Sequence, residues 1–321
     1  MRMPRKSTAL AALVSVISIA LVVKWAAGQE APHLPRTETA WVWLGLALVV
    51  TGVALVCRAY RWHWILRAAG IVHRRRDAIG LTVVGYMGNN VLPARGGELL
   101  KVGLLGTRTP SRHREVFGTV LTERVLDAAV LVALFATLTW AGVAGSASPC
   151  GTAAIAAGAL AAGCAAIGVY LALRRRGLFE RFATTIRPVA GASRQLATRR
   201  GVPLAAWSVL IWALDGTTVL LAARSVGVEL GPLSALAVVV LGSLAAAIPA
   251  APGYVGTFDA AFLLGLHAAG VRGGDAVSVL LMARFVLFAP PTVAGAATLV
   301  FGYGGLRTRH RGKLDEAGAP A

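Results

Sequence analysis

The stretch GNNVLPARGGELLK occupies residues 88–101 of a chain otherwise dominated by alanine, leucine and valine. Two amides, a proline, an arginine, a glycine pair, a glutamate and a lysine fall within it. Lipid cannot hydrogen-bond a freed backbone N–H or C=O. Helix-breaking sequence at membrane depth must therefore be surrounded by protein or line a water-filled cavity. The meaning of the stretch depends on what flanks it.

The flanks are membrane-like. The 321 residues are 56% hydrophobic with a mean hydropathy of +0.68. Only 14% are charged, against about a quarter in soluble domains. Apolar runs at 9–27, 40–57, 116–144, 152–173, 203–222, 232–248, 253–270 and 278–302 come close to or exceed the roughly 20 residues that cross a bilayer. The first run follows Arg2, Arg5 and Lys6 and is longer than the apolar part of a cleavable leader, so it reads as a retained signal anchor.

Thirty-two basic and 14 acidic residues give a net charge of +18. Their distribution excludes nucleic acid as the partner, because no loop is long enough to form a binding domain. Twenty-six of the basic residues fall before the first run, at 58–76, 95–114 and 174–202, and in the tail after 306. The intervening loops hold only Arg36, Arg224 and Arg272. This is the positive-inside pattern, and it sets a basic surface against an anionic inner leaflet. Cys57, Cys150 and Cys164 have no metal or redox spacing, and no metal or cofactor motif occurs.

Charge parity then constrains the opening stretch. If 78–92 crossed fully, the basic residues of 95–114 and 174–202 would lie outside. Gly85, Gly88 and Pro93 interrupt the segment instead, and 78–105 reads as a re-entrant hairpin from the cytoplasmic side. At 253–270, a helix starting at Gly253 gives eighteen residues, enough to cross. The expectation is an all-α polytopic membrane protein of about eight transmembrane helices plus a re-entrant hairpin, with both termini cytoplasmic. Residues 1–39 form the anchor span and outer loop, 40–302 the transmembrane domain, and 303–321 a basic, disordered cytoplasmic tail.

Ionisable groups inside such a domain mark functional sites by default. Glu98, Glu123, Arg124, Asp127, Asp215, Asp259 and Arg284 are of this kind. Glu123 and Asp127 share one helix face, with Arg124 three residues from Asp127. They read as a proton- or substrate-handling cluster, as a structural ion pair with Arg95 or Arg284, or as a cluster close enough to the inner surface to be wet. Asp215 has no local charged partner, only Thr217 and Thr218. In the opening stretch, Arg95 and Lys101 suit phosphate oxygens. Gly96 and Gly97 let backbone N–H groups approach an anion, Glu98 opens a helix, and Asn89 and Asn90 add donors. A second such place is AIPAAPGYVGTFDAA at 247–261, where Pro252, Gly253 and Gly256 precede Asp259. Proline, glycines and acid in the same order are the trace an inverted repeat leaves, in a match too short to establish one.

Together, RAYRWHWILRAAG (58–70), GNNVLPARGGELLKVGLL (88–105), TERVLDAAVL (122–131), PAAPGYVGTFDAAF (249–262) and ARFVLFAPPTVAG (283–295) resemble the lysylphosphatidylglycerol synthetase transmembrane-region family, also called the flippase-like domain family. Members usually carry glutamate where Asp259 stands here. The resemblance implies a multi-pass bacterial or archaeal inner-membrane protein that flips a phospholipid or polyprenyl-linked lipid between leaflets, here without the fused aminoacyl transferase domain. It implies no cofactor and no catalytic residues, hence no enzyme. The implied partners are lipids with anionic headgroups and envelope-biosynthesis proteins. The residue reading leaves two alternatives: a membrane enzyme acting on lipid-linked substrates through Glu123 and Asp127, or an envelope-assembly scaffold.

Overall fold

The computed structural model describes residues 33–92, 96–111, 113–143, 201–246 and 252–304. The expected spans at 9–27 and 152–173, residue Arg95 and the C-terminal tail lie outside the described residues. Those described form eight α-helices and no strand. In chain order they are α1 (Glu38–Ala68), α2 (Arg75–Val91), α3 (Gly96–Gly106), α4 (His113–Trp140), α5 (Gly201–Arg224), α6 (Pro232–Ala245), α7 (Thr257–Ala268) and α8 (Gly273–Ala297), which runs into a π-turn at Thr298–Gly302.

Two length classes are evident. Helices α1, α4, α5 and α8 span roughly 36–46 Å at 1.5 Å per residue, whereas α2, α3, α6 and α7 span roughly 16–26 Å. A hydrocarbon core is about 30 Å thick, so only the first class crosses it comfortably. Helices α1, α5 and α8 are also apolar enough to cross. Their outward faces carry exposed Trp41, Val42, Val49, Val209, Val293 and Phe301, which suits lipid and not water. The fold is that of a helical membrane protein.

The short helices form two hairpins. In the first, α2 and α3 approach so closely that a Cβ on Gly88 would lie 2.5 Å from the Gly97 Cα. In the second, α6 and α7 pack at Gly265 against Val238 and at Gly242 against Phe258. The span expected at 253–270 is therefore corrected. Pro252–Tyr254 makes a 3-10 turn with Gly253, Tyr254 and Gly256 at positive φ, and the helix starts only at Thr257. That backbone cannot continue a right-handed helix. Twelve residues remain, and they fold back on α6 instead of crossing.

Helix ends place the hairpins. Helix α1 starts at Thr37, whose Oγ1 accepts from the Ala40 N–H at 3.2 Å. It stops at Gly70, which has φ 73° and is followed by buried Ile71, whose N–H reaches back to Leu66 O. The same glycine-then-β-branched pair closes α4, α5 and α7. Ile71, Leu105 and Val116 share one apolar cluster, and Arg108 sits over the Tyr303 ring, so one end of the molecule holds the open ends of the α2–α3 hairpin and the end of α8. Val228, Leu230 and Val271 share another cluster, so the opposite end holds the open ends of α6–α7. The hairpins thus point at each other, and their tips meet where Gly253 lies beside the Asn90 carbonyl.

The described residues form two units of like order, long helix, short hairpin, long helix, in inverted orientation. Helices α1 and α5 cross antiparallel between them, joined by Thr51 and Thr218 hydroxyls 3.3 Å apart and by Trp207 Nε1 donating to Cys57 O. Helix α2 packs on α8, and α6 packs on α4.

Candidate functional site

A cavity of 380 Å³ lies between the hairpin tips. Asn89 and Asn90 reach it from the first hairpin, and Ser243, Tyr254 and Phe258 from the second. The long helices contribute Thr51 and Arg58, Arg124 and Asp127, Trp212 and Asp215, and Phe288. Tyr86 adds a ring from α2.

The charges around it fall into three paired groups. Arg61 on α1, 1% exposed, grips Asp127 with both terminal nitrogens at 2.5 and 3.0 Å. It also donates to Ser208 Oγ at 2.7 Å and to Glu123 Oε1 at 3.2 Å. The other Glu123 oxygen accepts from Lys101 Nζ at 3.1 Å, and that ammonium sits 3.7 Å from the Trp62 ring centroid. Arg124 pairs with Glu98 at 3.1 Å and Asp127 at 3.4 Å. Arg58 pairs with Asp215 across α1 and α5. Arg284 pairs with Asp259 at 2.5 Å and donates to Gly253 O at 2.9 Å. The other Asp259 oxygen accepts the Gly256 N–H, so this cluster ties down the second tip.

A buried charge is tolerated only when it is paired, and each of these charges has an opposite partner, although Arg61 Nε and Arg124 Nε make no hydrogen bond. Arg58, Arg61, Lys101, Arg124 and Arg284 face Glu98, Glu123, Asp127, Asp215 and Asp259.

The structure sorts the residues expected from the sequence. Asn89, Asn90, Arg124 and Asp127 line the cavity. Asn90 is also committed to α8, donating to Thr292 Oγ1 at 2.8 Å and Phe288 O at 3.3 Å. Glu98, Glu123 and Lys101 stand behind the lining in the ion-pair network. Gly96 opens α3, and Gly97 packs the first hairpin. Pro252, Gly253, Gly256, Asp259 and Arg284 build the second tip. Arg95 lies outside the described residues. The ion-pair partner expected for Glu123 and Asp127 was Arg95 or Arg284; the observed partners are Arg61 and Lys101. Asp215 has Arg58, while Thr217 and Thr218 bond to carbonyls of their own helix.

Arg58, Arg61, Tyr86 and Trp212 were not expected at the site. Arg58 and Arg61 were read as loop charges after a span ending at 57. The signal that finds them is the helix stop at Gly70–Ile71. It keeps both arginines inside the helix, three residues apart on one face. Nothing local marks Tyr86 or Trp212, whose place depends on which helices meet.

Among the described residues, two inverted helical units meet at a charged cavity between hairpin tips, where broken helices are surrounded by protein or polar space. The chain belongs to the family described as the lysylphosphatidylglycerol synthase TM region, which it matches over residues 9–295. It is 26% identical to Glycosyltransferase AglD of Haloferax volcanii, over 93% of this chain and 55% of that protein, so it spans about half of that relative's length. It is 23% identical to a UPF0104 membrane protein of Methanothermobacter thermautotrophicus, over 93% of this chain and 96% of that protein. The family expected from the motifs holds, and so does a membrane location. The expectation that the chain is no enzyme is overturned, because a relative matched along nearly the whole chain is named a glycosyltransferase.

Proposed function

We propose that the protein binds a lipid headgroup in the cavity between the hairpin tips and carries it between the leaflets of the cell membrane, the lipid being a phospholipid or a polyprenyl-linked lipid. The observation that carries this reading is the meeting of two short hairpins from opposite ends at a cavity faced by Arg58, Arg124, Asp127 and Asp215. Non-helical backbone at that depth is tolerated only beside protein or a polar space, and such tips hold substrates in transporters. Arg95, at the first tip in sequence, is the further candidate contact for a phosphate.

In this reading α1, α4, α5 and α8 cross the membrane. The α2–α3 hairpin enters from the cytoplasmic side and α6–α7 from the other. With the crossings expected at 9–27 and 152–173, both termini stay cytoplasmic, because α6 and α7 leave on the side they entered. Single cysteines placed at Glu229 and Arg272 in a cysteine-free background should react with an impermeant thiol reagent on intact cells. Cysteines at His73 and Arg108 should react only after permeabilisation. The reverse labelling would overturn this orientation.

Translocation is tested in vesicles. Protein reconstituted with fluorescent phospholipid and polyprenyl-phosphate probes should speed the loss of inner-leaflet protection, and Arg58→Gln with Arg124→Gln should slow it. Rates equal to protein-free vesicles for every probe would sink the reading. Lipids that co-purify with wild type and are lost with Arg95→Ala would name the class carried.

A second reading, favoured by the name of the Haloferax relative, is a part in glycosyl transfer to a lipid-linked acceptor. Labelled sugar appearing on a lipid acceptor in the presence of the purified protein and a sugar donor would establish it.

A further inference from the structure

The polar groups that line the cavity differ in whether they have a partner. The charged groups are ion-paired, Arg58 with Asp215 and Arg124 with Glu98 and Asp127, although Arg124 Nε makes no hydrogen bond. Thr51 and Asn90 are hydrogen-bonded as well, but four other neutral groups are not. Among the described residues, the Asn89 side chain, the Tyr86 and Ser243 hydroxyls and the Trp212 indole N–H make no hydrogen bond, and Asn89 Oδ1 and Trp212 Nε1 are buried. Buried polar groups without a partner carry a desolvation cost, and a cluster of them in one cavity needs a ligand or ordered water to satisfy it.

The ligand chemistry follows from what each group can accept. An indole N–H only donates, an amide oxygen only accepts, and a hydroxyl does both. A phosphate oxygen would answer the indole but not the amide oxygen. An ammonium would answer the amide oxygen but not the indole. A hydroxyl answers either. The rings of Tyr86, Trp212, Tyr254 and Phe258 line the same space and offer flat apolar faces. Several hydroxyls on a flat ring skeleton are the chemistry of a sugar.

We propose that the cavity takes the sugar of a glycosylated lipid, its hydroxyls meeting Asn89, Tyr86, Ser243 and Trp212. The paired arginines and aspartates hold the wall without adding net charge. This inference rests on the headgroup reading above and narrows it to a glycosylated lipid.

The test uses the whole protein in phosphatidylcholine nanodiscs doped at equal amounts with four probes, read by native mass spectrometry of retained lipid. The probes are a polyprenyl-phosphate-linked hexose, the same polyprenyl phosphate without sugar, phosphatidylglycerol and phosphatidylethanolamine. The glycosylated probe should be retained about tenfold or more over the other three, each unmatched hydroxyl contact being worth that order. Trp212→Phe with Tyr86→Phe keeps both rings, removes both polar hydrogens, and should erase most of that preference while leaving thermal unfolding unchanged. Equal retention of the sugar-free phosphate, or a preference untouched by the double variant, would overturn the proposal. Equal retention of phosphatidylglycerol would leave hydroxyl matching but overturn the sugar ring. Ala128→Trp, which fills the cavity from α4, separates the two readings. If it displaces no probe, the headgroup reading itself falls. If it displaces phospholipid and sugar lipid alike, only the sugar assignment falls.

Discussion

The two halves of this protein share a skeleton and differ in what hangs from it. In the first, the second arm of the hairpin opens with Glu98, and the next long helix answers with Arg124. In the second, the arm opens with Asp259 and the next long helix answers with Arg284. Each arginine stands at the same place in its helix, eleven positions after His113 and Gly273 respectively. The shared pair clips a re-entrant arm to its neighbour, which is an architectural role. Around Arg124, however, the first half adds Glu123 and Asp127, where the second has Ala283 and Leu287. It draws in Arg61 and Lys101 as well. The features only one half carries are therefore the better guide to chemistry, and the features both carry are the better guide to folding.

The comparison can be broken where it is most asymmetric. Arg61→Ala removes the cation that Asp127 and Glu123 share in an almost fully buried setting. Truncating one partner of such a group costs about 3–5 kcal/mol, seen as lost stability in detergent denaturation. Among the described residues the second half has no such shared cation, so a loss under 1 kcal/mol would dissolve the distinction drawn here. Arg284→Leu should come next, at about 3 kcal/mol, since it strands Asp259 and releases the Gly253 carbonyl. Arg124→Leu should cost less, about 1–2 kcal/mol, because Asp127 keeps Arg61. Equal losses would mean that the shared clip, and not its surroundings, decides stability.

Glycines sharpen the same comparison. Gly97→Ala places a Cβ against the Asn89 backbone N–H and should cost about 2 kcal/mol through overpacking. Gly103, on the same helix, has nothing within 4 Å of its added Cβ. Gly103→Ala should be the mildest change, stabilising by roughly 0.5–1 kcal/mol through helix propensity. If Gly97→Ala is as mild, the first hairpin is looser than its geometry.

Much of this was legible in sequence. The run lengths and hydropathy marked the long helices, because an uninterrupted apolar stretch has few other uses. The basic loops implied an orientation. Pro93 and the glycines around it marked the first hairpin, and Glu98, Arg124, Asp127, Asp259 and Arg284 stood out as charges where charge is expensive. The second hairpin was missed because 253–270 has the length of a span. Its fate turns on positive φ at Gly253, Tyr254 and Gly256, a backbone property that composition does not carry.

By itself the sequence determined that this chain enters a membrane, where its helices break, and which family it belongs to. Those follow from local quantities: the hydrophobicity of a window, the absence of a proline N–H, the freedom of glycine. Only the tertiary structure decided that α6 and α7 turn back together, that Arg58 and Arg61 face inward to Asp215 and Asp127, and that Tyr86 and Trp212 share one cavity. These depend on which helix faces cross, and antiparallel crossing of α1 on α5 brings together residues about 150 positions apart. No spacing rule along a chain reaches that far.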